Sequence, residues 1–162
     1  MSKPPKLAQA KPADVVDFED FQKDVDVGCA GDRPPLIPEG DYEVGFVRPE
    51  ETHLWGRKKL FLHFQTVETG DYHGTVLFMS MNLPTHGRLS RSSKFFQSWV
   101  LAAGKEPNRL DRMSTRIFRG KIFLARVRTV TTFIHASRKV KKREPTTFYS
   151  IIDHLIERRA GA

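Results

Sequence analysis

Three stretches between residues 42 and 82 alternate apolar with polar positions, and a period of two predicts strands with one buried face. The first is Tyr42 to Arg48, opened by the turn chemistry of Pro38, Glu39, Gly40 and Asp41 and expected to end at Pro49. The second, Leu60 to Val67, places Leu60, Leu62 and Phe64 on a core face and Phe61, His63 and Gln65 on the other. A turn over residues 69–74 leads into the third, Thr75 to Asn82, where Leu77, Met79 and Met81 alternate with Phe78, Ser80 and Asn82. From Ser92 the period lengthens. Phe95, Phe96, Trp99, Val100 and Ala103 fall at helical spacing, with Gly104 suited to the C-terminal cap and Pro107 barring continuation. A second strand pair is expected at Ile117 to Val130 and Phe148 to Ile156, with Phe123, Ala125 and Val127 on one face of its first member and Arg126 and Arg128 on the other.

Strand, strand, strand, helix, strand, strand is the element order of an OB-fold. The expected class is therefore mainly β with one or two helices: an OB-fold-like five-stranded Greek-key barrel with a helix between strands three and four. A sheet capped by one helix in another topology would produce the same list of elements.

The 162 residues, with twelve Phe, suffice for one core. Residues 1–35 show no sustained period and are rich in Pro, Lys, Ala and Asp, so they are expected to form an acidic, largely flexible leader. The folded domain is expected over 36–157, with 158–162 a frayed C-terminus. The single cysteine, Cys29, has no second thiol, which excludes disulfides and cysteine-bound zinc. No signal peptide and no stretch of about 18 apolar residues is visible, so a soluble protein of the bacterial cytoplasm, without membrane contact, is expected.

Charge sharpens the picture. Residues 1–41 carry nine acidic and five basic side chains, net −4, and residues 42–162 carry ten and twenty-two, net +12, which together give the overall +8. The run Ser137-Arg138-Lys139-Val140-Lys141-Lys142-Arg143 concentrates five of those cations on what should be a hairpin loop. A basic domain of this kind points to nucleic acid or another anionic surface.

Several segments also resemble a known family: Ile37 to Glu43, Lys59 to Phe64, Tyr72 to Phe78, the helix Phe95 to Ala103, Gly120 to Val127 and Tyr149 to Ile152. They are similar to the OB-fold-like single-stranded DNA-binding proteins of bacteriophages and mobile elements, over roughly residues 36–156. The resemblance implies an accessory DNA replication or DNA recombination factor that coats single strands. The leader and the basic loop have no counterpart in it.

Sequence-independent binding of single strands needs cations along the phosphates and aromatic faces for the bases. In an OB barrel these come from strands two and three and from the loops between strands one and two and strands four and five. The candidate nucleic-acid-binding residues are accordingly Trp55, Arg57, Lys58 and Lys59 from one loop, and Phe61, His63 and Phe78 from the sheet. Arg138, Lys139, Lys141, Lys142 and Arg143 come from the other loop, and Arg126 and Arg128 extend the track. The competing reading packs Phe61 and Phe78 beneath the helix or the leader and leaves the arginines as a solvated face.

No catalytic constellation, cofactor motif or metal-ligand spacing stands out, so no enzyme activity, cofactor or metal is expected. A metal-dependent nuclease built on Asp71, His73 and either His86 or Glu68 is a distant alternative. A protein-interaction or structural module of a phage or mobile element is a nearer one. Expected partners are single-stranded DNA, with RNA open, and a replication or recombination protein reached through Asp14, Asp17, Glu19, Asp20, Asp24 and Asp26 of the leader, with Phe18 and Phe21 between them. Self-association is left open.

Overall fold

The computed structural model describes residues 34–54, 56–85, 87–134, 140–143 and 145–161. Its strands are β1 (Gly40–Leu54), β2 (Arg57–Thr66), β3 (Val76–Asn82), β4 (Ile122–Val130), β5 (Thr132–Ile134), β6 (Val140–Lys142) and β7 (Tyr149–Ala160). One α-helix, α1 (Lys94–Ala103), stands between β3 and β4. The main sheet has the order β3-β2-β1-β4-β7 and is antiparallel throughout. The adjacency β4-β1-β2-β3 is the Greek key, and the whole order is that expected of an OB-like barrel. The sheet does not close: its edge strands β3 and β7 approach each other, but no hydrogen-bonded ladder joins them.

Alternation decides the faces. Leu60, Leu62 and Phe64 of β2, Leu77, Met79 and Met81 of β3, and Phe123, Ala125 and Val127 of β4 all turn into one core. Phe118, from a short 3-10 turn before β4, fills its centre against Phe46, Phe64 and Phe123 at centroid separations of 5.7, 6.3 and 6.1 Å. The helix packs Phe95 and Ala102 into this core and also buries Phe96, whereas Trp99, Val100 and Ala103 of the expected stripe are only half-buried. Ser93 caps its N-terminus by accepting from the Phe96 N–H, and Gly104, at φ 74°, supplies the left-handed C-cap.

Four expectations about boundaries are corrected. Pro49 does not end β1; it lies inside the strand opposite Leu62. The reason is that β1 pairs with β4 only over Gly40 to Gly45, so beyond that point one edge carries no ladder, and a residue without an N–H costs nothing there. The loop expected around residues 55–59 is consequently a ribbon, paired out to Leu54 opposite Arg57. At the other end, β7 runs on to Ala160 and pairs with β4 as far as Ile122, so residues 158–160 are strand rather than a frayed end. The order of the chain also begins before residue 36, since Pro35 O accepts from Ser150 N–H at 2.8 Å. The buried Ser150 hydroxyl then accepts from Ile37 N–H at 2.8 Å and donates to Ile37 O at 3.0 Å, fixing Ile37 in the core. No helix among the described residues is long and apolar enough to cross a membrane.

Candidate nucleic-acid interface

On the face of β1, β2 and β3 turned away from the core, side chains stand in cross-strand rows. Arg48 lies opposite His63, which lies opposite Phe78; Glu50 lies opposite Phe61, which lies opposite Ser80; Thr52 lies opposite Lys59, which lies opposite Asn82. Phe61 and Phe78 are half-buried on this outer face, not beneath the helix, and meet edge to face at 5.4 Å. The His63 ring is 6.2 Å from that of Phe78.

Phe78 continues the row across the gap between β3 and β7. Its ring is stacked on Tyr149 at 6.2 Å with an interplanar angle of 30°. The Arg143 guanidinium lies 5.0 Å over Tyr149, while its Nε donates to Thr132 O at 3.3 Å. The run Phe61, Phe78, Tyr149, Arg143 is therefore one contiguous aromatic track ending in a cation.

Of the basic segment, residues 140–142 form strand β6 and Arg143 follows it. β5 and β6 pair as a second ribbon, with Lys141 opposite Phe133 and Lys142 opposite Thr132, and the two lysines are exposed. Arg57 and Lys59 share Phe61's face of the first ribbon by alternation, whereas Lys58 falls on the opposite face and pairs with Glu51 at 2.6 Å. Arg126 and Arg128 stand exposed on the outer face of β4, each already holding a carboxylate: Arg126 grips Asp41, and Arg128 donates to Asp153 at 2.7 Å. Hydrogen bonds from His154 first, and then from Arg128, hold the Asp153 carboxyl below its ordinary range despite its partial burial. A phosphate approaching these two arginines has to displace a carboxylate, although exposed pairs of this type are individually weak. Trp55, Arg138 and Lys139 lie outside the described residues, as do His86 and residues 1–33, Cys29 among them.

Two members of the face were not among the expected residues. Arg48 follows Val44 and Phe46 at a spacing of two, which by alternation points it into the core. A bulge between Phe46 and Arg48 takes up Val47 and turns Arg48 outward beside His63. Glu50 puts an anion among the cations: its Oε2 is 2.8 Å from His63 Nε2 and 3.6 Å from Arg48. The hydrogen bond to His63, ahead of the charge of Arg48, holds the Glu50 carboxyl below its ordinary value of 4.5. Tyr149 carried no periodic signal that could assign it here, because it meets Phe78 across strands that do not pair.

The distant nuclease set does not assemble among the described residues. Glu68 Oε1 is used in accepting the Glu43 N–H at 2.6 Å, and His73 Nδ1 bonds the backbone oxygen of Glu68 at 2.9 Å. No group of three His, Cys, Asp or Glu side chains suited to a metal ion occurs among the described residues.

The arrangement can do two things chemically: offer ring surfaces to planar groups along β2, β3 and the start of β7, and offer cations to phosphates from the two ribbons flanking them. Comparison of the chain with protein-family models, with curated proteins and with solved structures finds no match.

Proposed function

We propose that this chain binds single-stranded nucleic acid, DNA in the first instance, without strong sequence preference and with no reaction of its own. The observation that carries the reading is the aromatic track of Phe61, Phe78 and Tyr149, bordered by Arg48 and Lys59 on the outer face of the sheet and by Arg143 over Tyr149. Unpaired bases present flat faces that such rings stack on at about 1–3 kcal/mol each, whereas paired bases in a duplex do not. Arg57, Lys59, Lys141 and Lys142 supply charge for the phosphates from two ribbons that flank the rings. On this reading the protein serves as an accessory factor in replication or recombination in the cytoplasm of a bacterial host, in the manner of the phage and mobile-element proteins it resembles.

Fluorescence anisotropy of labelled oligothymidine at two salt concentrations, with duplex of equal length as competitor, tests the proposal. Single strand is expected to win over duplex and to lose affinity steeply as salt rises. Phe78→Ala, which removes the ring shared by Phe61, His63 and Tyr149, is expected to weaken the single-strand complex by about 5- to 150-fold. Equal binding to both forms, or none, rejects the proposal and favours a protein-interaction module. Magnesium-dependent cleavage of the label would instead reveal a nuclease.

A further inference from the structure

Where β3 and β7 fail to pair, the gap between them opens into a cleft of about 800 Å³. Pro35, Leu36 and Arg143 line it, and Phe78, Phe148 and Tyr149 contribute rings. The volume lies within the roughly 300–1,000 Å³ typical of sites for small organic groups.

Three features narrow what the cleft can hold. Its described lining includes one cationic side chain, Arg143, whose guanidinium lies over the Tyr149 ring. Its walls are poor in backbone donors: Pro34, Pro35 and Pro145 have no N–H. The Ser150 N–H at the adjoining edge of β7 is already given to Pro35 O at 2.8 Å, so an added peptide strand finds no ladder to join there. What remains is apolar, ring-lined surface beside a guanidinium, which suits a flat aromatic group linked to a phosphate. Finally, Phe78 belongs both to the cleft and to the outer face of β2 and β3, so the two surfaces are continuous.

We propose that this cleft is a nucleotide subsite: it accepts one unpaired base of the bound strand, with that nucleotide's phosphate at Arg143, and so discriminates single strand from duplex. The inference rests on the single-strand reading above and adds to it the place where an unpaired base is required. A base held in a pair cannot leave the stack to enter the cleft without the cost of unpairing.

The test fills the cleft from its exposed wall. Leu36 is 55% exposed, so Leu36→Trp leaves the core intact, and Leu110→Trp, at a residue 46% exposed in the connection after α1, is the matched control. Both variants of the full chain are measured with oligothymidine and with duplex of the same length. Leu36→Trp is expected to lose roughly tenfold in oligothymidine affinity, about the worth of one stacked base, with duplex affinity and salt dependence unmoved. Leu110→Trp is expected to match the unsubstituted chain. Oligothymidine affinity within about twofold of the unsubstituted chain in Leu36→Trp overturns the subsite, including the case in which the cleft proves to bind a proline-rich peptide. An equal loss on single strand and duplex overturns it as well. If the unsubstituted chain itself shows no preference for single strand, the broader reading fails first, and that result is visible before any variant is compared.

Discussion

Glu50 is the side chain that sets the electrostatic sign at the middle of the candidate interface. Its carboxylate bonds His63 and offsets the positive charge of Arg48 in the row that holds Phe78. Replacing it with Gln keeps the shape and removes the anion. Glu50→Gln is expected to tighten oligothymidine binding severalfold at low salt, with the gain shrinking as salt rises because the carboxylate is 49% exposed and screened. The same residue carries a pH signature in stability. Its folded-state pKa is depressed, so its contribution is present above its ordinary 4.5 and lost as pH falls through the lower folded value. Urea midpoints of the parent and Glu50→Gln should therefore differ slightly at neutral pH and converge in strong acid. A gap that persists in acid would show that His63 and Arg48 do not stabilise the ionised form.

Among the elements, β7 has the most to hold, because it pairs with β4 on one side and meets the unpaired gap on the other. Ser150 is the clamp on that free side, bonding Pro35 and Ile37 through its N–H and its fully buried hydroxyl. In Ser150→Ala the Ile37 N–H and C=O lose their partner within the protein interior. Unfolding in urea should show a loss of about 1–3 kcal/mol, the range for a buried polar group left unsatisfied. A loss near zero would mean that water enters behind Ile37. Strands of this sheet were legible in the sequence wherever the period of two ran unbroken: the inward sets of β2, β3 and β4 follow from alternation alone. Legibility ended where a tertiary feature intervened. Pro49 reads as a terminator because sequence does not disclose that one edge of β1 is free beyond Gly45. Arg48 reads as inward because the bulge at Val47 leaves no local mark, and Tyr149 and Leu36 gain their place only from the approach of β7 to β3. Alternation thus places Phe61, Phe78, Arg57 and Lys59 on one face, but it discloses neither Tyr149 nor the cleft.

At the scale of the whole molecule, the question is whether the two basic ribbons serve one strand of nucleic acid. Arg57 and Lys59 extend from the β1–β2 ribbon, and Lys141 and Lys142 from the β5–β6 ribbon, while Phe61, Phe78 and Tyr149 lie on the sheet surface and at the gap beyond it. A strand that stacks along the rings and meets both ribbons neutralises phosphates at both, and for single strands each neutralised phosphate contributes about 0.7 to the slope of log affinity against log salt. Removing Arg57 and Lys59 together should thus lower the slope by about 1.4, removing Lys141 and Lys142 should lower it by a similar amount, and the four changes combined should lower it by about 3. Additivity of this kind requires an oligonucleotide long enough to reach both ribbons. On a shorter one, a single ribbon suffices and the second pair of substitutions has no further effect. If the Lys141 and Lys142 pair leaves the slope unchanged on the longest oligonucleotide, the second ribbon is not part of the strand's path, and its charge serves a different acidic partner.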